Sequence, residues 1–286
     1  MKPRRPISPS QRYHNRVARQ YDAIYRDPYW DFHDRVTWNT IRPYLPRDLS
    51  VPCCDLGCGT GKWGLKLLKT GLPTTFVDHA PAMIEQTRQN ISANAGKATL
   101  VVADIVDCPQ LASGSFGLLL AMGDPLSICS DPPRAVGEMF RLCAPGGTVI
   151  ATADNKLAAL EHFLAHGSLD ELESFVKTSR TRWLTAEKSE QFELTTFTPA
   201  TLRKLFEKAG FEIISLIGKT ILPLRQHRQW LEAGEQAGAD LLRLLRLEAQ
   251  LASDPSAAAR AGHLQITARR PLAASSVPIP PSQPEH

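Results

Sequence analysis

The chain contains no run of about 18 or more apolar residues, so nothing in it reads as a membrane-spanning helix. Its opening, Met1-Lys2-Pro3-Arg4-Arg5-Pro6, is basic but lacks the apolar stretch of a secretory signal. The six cysteines (Cys53, Cys54, Cys58, Cys108, Cys129, Cys143) form no C-x-x-C pair, and no histidine follows them at finger spacing. That pattern predicts neither a metal site nor a disulfide framework. Most of these cysteines sit in apolar contexts, where cysteine packs as a small hydrophobe, and a reducing, cytoplasmic setting is expected. Surplus charge is also scarce. A net charge of +4 over 286 residues argues against a general nucleic-acid binder.

What charge there is lies unevenly. Lys2, Arg4, Arg5, Arg12, Arg16 and Arg19 all precede the first acid, Asp22. Such an arm either touches phosphates or is a solvated tail. No aromatic residue interleaves its first dozen positions, which favours the tail, and residues 1–12 are expected to be disordered. Residues 271–286 are too rich in proline to pack and are expected to be disordered as well. Residues 13–46 read as a helical lid carrying many aromatics, Tyr21, Tyr25 and Trp30 among them.

From residue 47 to residue 270, short apolar runs alternate with helical patterns. Strands are expected at 51–55, 74–77, 99–102, 116–122 and 148–153, and helices at 62–70, 81–95, 132–143 and 199–209. This alternation predicts a doubly wound α/β domain: a parallel sheet covered on both faces, with ligands at the strands' carboxyl ends. Two more strands follow, at 210–218 and 262–268. An insertion at 156–198 is placed to cap the pocket. Residues 223–258 read as a helical connection whose leucines (Leu241, Leu242, Leu244, Leu245, Leu247) form a packing face.

The most informative stretch is Cys54-Asp55-Leu56-Gly57-Cys58-Gly59-Thr60-Gly61-Lys62-Trp63-Gly64. An apolar strand runs into three glycines at alternate positions and then into a helix. Glycine lets the chain turn tightly and lets a ligand touch the backbone, and the amides of the next helix face that ligand. This is a nucleotide-type cofactor site. Residues 59–64 also fit G-x-G-x-x-G, a dinucleotide pattern. Asp78, an acid at the end of the second strand placed for ribose hydroxyls, suits either cofactor. Asp55 separates the two: it would repel a pyrophosphate but attract a cofactor bearing an ammonium and a sulfonium. It lies too early to cap the next helix. Asp104 ends the third strand, where it can accept a hydrogen bond from an adenine amino group. The chain also lacks a second βαβαβ half.

Asp55–Gly61 resembles motif I of the class I S-adenosyl-L-methionine (SAM)-dependent methyltransferases, of the small-molecule kind. Asp78 resembles that family's second-strand acid, and Asp104-Ile105 its third-strand acid and adenine contact. Arg141 through Gly147 resembles its R-x-L-x-P-G-G turn, and Phe197-Thr198-Pro199 through Gly210-Phe211 its y-T-P…A-G-F segment. The resemblance covers roughly residues 45–220. It implies a Rossmann-like seven-stranded sheet with an antiparallel last strand, SAM as cofactor and S-adenosyl-L-homocysteine as product. It assigns cofactor contacts to Asp55, Gly57, Gly59, Gly61, Asp78, Asp104 and Ile105. Tyr21-Asp22 resembles the family's aromatic-Asp pair, which makes Tyr21 a contact and, with Asp124, a candidate catalytic residue.

Other positions stay open between two readings. Asp78 also suits the start of the helix at Pro81. His79 lies either beside the adenine or in a polar loop. Met83 packs either on the adenine or in the core. Ala121-Met122-Gly123-Asp124-Pro125-Leu126 ends the fourth strand, where Met122 and Asp124 face the transferred methyl. Asp124 either orients the acceptor, acts as a base, or simply forms an Asp-Pro turn. The Asn/Asp-Pro-Pro-aromatic motif of base-methylating enzymes is missing here, which argues against nucleic acid. His162, His166 and His227 are each either a general base or a surface residue. The expected activity is in-line methyl transfer to a small-molecule acceptor by a monomer or homodimer, with no metal. A tRNA or protein methyltransferase, a non-catalytic SAM-binding module and a dinucleotide oxidoreductase are the alternatives.

Overall fold

The computed structural model describes residues 6–91, 97–183, 185–232, 237–252 and 254–272. Most of each expected tail (residues 1–5 and 273–286) lies outside the described residues. The chain enters through α1 (Pro9–Val17), a 3₁₀ turn at Ala18–Gln20, α2 (Tyr21–Ile24) and α3 (Pro28–Ile41). Helix α1 corrects the expectation that disorder extends to residue 12. Ser8 Oγ accepts the Gln11 N–H at 3.1 Å, and Pro9 occupies the first turn, where no amide is needed. Asp27 and Pro28 start α3 in the same way.

The alternating region then runs β1 (Cys53–Leu56), α4 (Lys62–Lys69), β2 (Thr74–Asp78), α5 (Pro81–Asn90), β3 (Ala98–Val102), β4 (Phe116–Ala121), a short α6 (Pro125–Ile128), α7 (Pro132–Leu142) and β5 (Cys143–Asp154). The insertion holds α8 (Lys156–His166), α9 (Leu169–Thr178) and a hairpin of β6 (Arg180–Trp183) and β7 (Phe192–Thr195). Last come α10 (Pro199–Lys208), β8 (Glu212–Lys219), α11 (Ala237–Ala252), α12 (Pro255–Ala258) and β9 (His263–Arg269). The seven-stranded sheet has the order β3-β2-β1-β4-β5-β9-β8. β1 to β5 run parallel, and β9 is antiparallel to both its neighbours. This is the expected doubly wound sheet with a reversed last strand. Its order reverses between β1 and β4, which opens a crevice at their carboxyl ends.

β1 is buried along its whole length, as a central parallel strand must be. One face packs under α7 and α10 through Val136, Met139, Leu202 and Phe206; the other packs through Trp63, Leu67 and Ile41. All six cysteines are free, and Cys53 and Cys54 are fully buried in β1. The 223–258 connection holds a 3₁₀ turn at Arg228–Trp230, α11 and α12, with residues 233–236 and 253 outside the described residues. Leu241, Leu244 and Leu245, at i, i+3 and i+4, pack on Tyr29, Phe32 and Val36 of α3. Leu242 and Leu247 fall off that face and are exposed.

Asp55 decides where α4 begins. Gly57, Gly59 and Gly61 adopt positive φ values of 70°, 55° and 92°, and the loop doubles back over the end of β1. Asp55 Oδ2 thereby accepts the Gly64 N–H in the first turn of α4 at 2.7 Å. The expectation that Asp55 lies too early to cap this helix is corrected: the doubling back cancels the sequence distance. Asp55 Oδ1 is buried without a partner. Burial, opposed by the Gly64 bond, pushes the carboxyl up to about 7. The folded protein therefore holds this proton more tightly than the unfolded chain. The resulting stability is complete below about pH 4 and is lost as the pH rises through about 7. Asp55→Asn keeps an oxygen for Gly64 but cannot ionise. Between about pH 5 and about pH 8 the cofactor-free wild type is expected to lose about 1–3 kcal/mol relative to this variant in urea unfolding. A pH-independent difference would refute the assignment.

Candidate active site

The glycine loop is braced from β2. Asp78 Oδ2 accepts the Gly59 N–H at 2.9 Å, and Oδ1 accepts the Ala80 N–H at 2.8 Å, one residue ahead of α5. Each carboxylate oxygen has further lone pairs for a hydroxyl donor. A Cβ on Gly59 would meet nothing closer than Tyr21 Cε1, 3.8 Å away, so this face of the loop opens into space beneath the Tyr21 ring. A Cβ on Gly57 would lie 2.7 Å from Pro125 Cβ, which sets the loop directly against the β4–α6 turn. Asp104 is half-buried just beyond β3, and its Oδ1 accepts the Val106 N–H at 3.2 Å.

Several candidates are packing residues in this structure. Met83 is fully buried with Val17, Ala18 and Ala80 beneath α1. Met122 is buried with Trp63 and Leu67, and Ile105 joins the main core. His79 receives the Gln11 Nε2–H on its carbonyl at 2.6 Å, and its ring lies 5.7 Å from that of His14.

The N-terminal helices are tied to this loop. Thr60 Oγ1 donates to Asp22 Oδ1 at 2.6 Å, and Lys62 Nζ to Asp34 Oδ2 at 2.8 Å. From Tyr21 an aromatic wall runs through Tyr25 (5.0 Å between ring centroids), Trp30 (4.9 Å), His33 (5.2 Å) and His263 (5.6 Å). Burial pushes both phenols, Tyr21 and Tyr25, up, which keeps them neutral. The insertion closes over α1: Tyr13 meets Trp183 and Phe192, Arg12 donates to the Ser189 carbonyl, and Arg16 pairs with Glu190.

At the far end of the wall lies a polar cluster. Asp124 sits in the left-handed region at φ 61°, and its N–H, like that of Gly123, is accepted by Thr152 Oγ1 at 3.0 Å. Asp124 Oδ2 lies 2.8 Å from His263 Nδ1, and Asp154 Oδ1 lies 3.7 Å from the same nitrogen. Burial alone would push the Asp124 carboxyl up, but His263 outweighs it, with Lys219 and Thr152 adding to the effect, and holds it well below the usual range. Burial would lower His263, but the Asp124 charge raises it. Burial and then Asp124 push Asp154 up to about 7. Burial lowers Lys219 to about 8, and burial together with Lys219 lowers His33 to about 4.

Of the sequence candidates, the structure brings Asp55, the glycines, Asp78 and Tyr21 together around the loop and places Asp124 at the far end of the aromatic wall. His162 and His227 are exposed, and the side chain of His166 lies outside the described residues. His33, Asp154, Lys219 and His263 were not singled out from sequence. One signal could have found His263. A reversed last strand starts at the edge where its parallel neighbours end, so its first residue faces Asp124.

A family model described as a methyltransferase domain matches residues 53–147. The malonyl-[acyl-carrier protein] O-methyltransferase of Serratia marcescens is 30% identical over 118 residues, covering 41% of this chain and 40% of that protein. The chain spans 22% to 48% of the length of the first three curated relatives it matches. A SAM-dependent methyltransferase from Methanosarcina mazei superposes with a TM-score of 0.59 at 19% identity, covering 82% of this chain and 98% of that one. The [4+2]-cyclase SpnF superposes with a TM-score of 0.57 at 17% identity, covering 94% and 98%. These structural likenesses concern the fold, and a cyclase among them means that the fold alone does not set the reaction. Fold, glycine-loop geometry and the family model agree on a methyltransferase domain over residues 53–147.

Proposed function

We propose that the protein moves a methyl group from SAM to a small-molecule acceptor by in-line displacement. The residues fit the cofactor. Gly59 leaves an open face, Asp55 keeps a buried oxygen without a partner, and Asp78 has lone pairs for ribose hydroxyls. Tyr21 would cover the sulfonium with a neutral aromatic face. When bound, SAM supplies an activated methyl on a good leaving group. The chain's own work is then to align the acceptor and exclude water. The lid fastened by Thr60–Asp22 and the aromatic wall suit that task.

One observation carries the small-molecule reading. Two arginines of the basic arm, the feature that favoured a nucleic-acid partner, are engaged within the molecule, and Lys2, Arg4 and Arg5 lie outside the described residues. Arg12 Nε and Nη2 reach the Ser189 carbonyl at 3.0 and 2.8 Å, and Arg16 Nη2 lies 2.6 Å from Glu190 Oε2. Those guanidiniums clamp the insertion to the lid, and Glu190 is 6% exposed. A partner bound through them would have to open the cap.

Asp78→Ala is expected to weaken S-adenosyl-L-homocysteine binding by about 1–3 kcal/mol in calorimetry; unchanged affinity would remove Asp78 from the site. Gly59→Val, strained at φ 55° and filling the space under Tyr21, is expected to bind no cofactor, and a folded variant that still binds it would move the cofactor off this loop. Methyl from labelled SAM is expected to enter a small-molecule extract. Salt-dependent RNA binding in a gel shift would favour the tRNA reading instead, and binding without any transfer would favour a non-catalytic module.

A further inference from the structure

We propose that Asp124, Asp154 and His263 form a binding site for a divalent transition-metal ion on the acceptor side of the pocket. The three come from neighbouring strands at one edge of the sheet. Asp124 follows β4, Asp154 is the last residue of β5, and His263 is the first residue of β9. One ligand atom from each lies within 4.8 Å of the others. His263 Nδ1 stands 2.8 Å from Asp124 Oδ2 and 3.7 Å from Asp154 Oδ1. Two donors about 2.1 Å from a common ion, at tetrahedral or octahedral angles, lie about 3.0–3.4 Å apart. The observed separations bracket that value.

The bonding within the cluster is incomplete in a way an ion would complete. His263 Nδ1 pairs with Asp124 Oδ2 through one shared proton, which a bound metal ion would displace. Asp124 Oδ1 is buried with no partner. Two carboxylates share the cluster, and the charge of Lys219 acts on Asp124 without a direct ion pair. Its Nζ donates to Thr37 Oγ1 at 3.0 Å and lies 3.5 Å from His33 Nε2. Buried like charges of this kind are stabilised by a shared cation.

The carboxylates are also held from behind. Thr152 Oγ1 anchors the amides of Gly123 and Asp124, and Ser127 Oγ accepts the Asp154 N–H at 2.9 Å. Asp124 keeps a left-handed backbone at φ 61°, and its carboxylate lies beside His263. The side chains remain 15%, 32% and 20% exposed for Asp124, Asp154 and His263, so the cluster can be reached from solvent. Two carboxylates and one imidazole suit Mn²⁺, Fe²⁺ or Zn²⁺ better than the all-oxygen preference of Mg²⁺ or Ca²⁺. An ion here would bind an oxygen of the acceptor next to Trp30 and His33. The site uses no residue of the glycine loop and stands apart from the cofactor reading.

The test titrates the full-length protein, freed of metal with EDTA, with MnCl₂ in calorimetry. Pulsed EPR of the loaded wild type then looks for coupling to a coordinated ¹⁴N. One Mn²⁺ per chain, an imidazole ¹⁴N coupling, and at least about a tenfold loss of affinity in Asp154→Asn and His263→Gln are expected. S-adenosyl-L-homocysteine binding serves as the folding control for both variants. No stoichiometric uptake, uptake equal in both folded variants, or a loaded wild type without ¹⁴N coupling would each overturn the proposal. If the variants fail to fold, the wild-type EPR decides. A wild type that binds Mn²⁺ but no adenosylhomocysteine would sink the cofactor reading and leave the metal site standing.

Discussion

Two buried carboxylates hold the glycine loop, and the rest of the site depends on that hold. Asp55 at the end of β1 takes the Gly64 amide, and Asp78 at the end of β2 takes that of Gly59. Between them they pin a loop whose three glycines all lie at positive φ, one of many conformations free glycine samples. The start of α4, the open face under Tyr21 and the contact with the β4–α6 turn follow from it. A carboxylate buried without full compensation is costly, and burial raises the Asp55 carboxyl for the same reason. Such strain is tolerated where a cationic ligand can relieve it.

The lid and the insertion form a second layer fastened by charge. Thr60–Asp22 and Lys62–Asp34 join the N-terminal helices to the loop, while Arg16–Glu190 joins them to the insertion. Because Glu190 is buried and Arg16 half-exposed, this last pair is shielded on one side only. The aromatic wall from Tyr21 to His263 then runs continuously from the glycine loop to the polar cluster.

Local features were legible in advance because their residues are consecutive. The 54–64 stretch carries its strand, turn and helix start in eleven positions, and the alternation of apolar runs and helices fixes the winding of the sheet. The misreadings have physical causes of the same locality. Asp55 was judged by its distance along the chain, whereas the loop doubles back and brings it under α4. The basic arm was judged by its charge, whereas Arg12 and Arg16 find partners more than 170 positions away. The leucines of 241–247 were judged as one stripe, whereas only those spaced i, i+3 and i+4 reach α3.

By itself the sequence determined the order of elements, the glycine turn and the identity of the acids at the strand ends. These depend on backbone conformational preference and on hydrophobic spacing, both of which act between near neighbours. Only the tertiary structure decided the polar cluster at the far end of the aromatic wall. His33 and Lys219 stand 186 positions apart in the chain yet 3.5 Å apart in space, and His263 meets Asp124 only because β9 is inserted, reversed, beside β5. Strand pairing is a non-local choice, settled by the packing of the whole sheet, and no short stretch of residues encodes it.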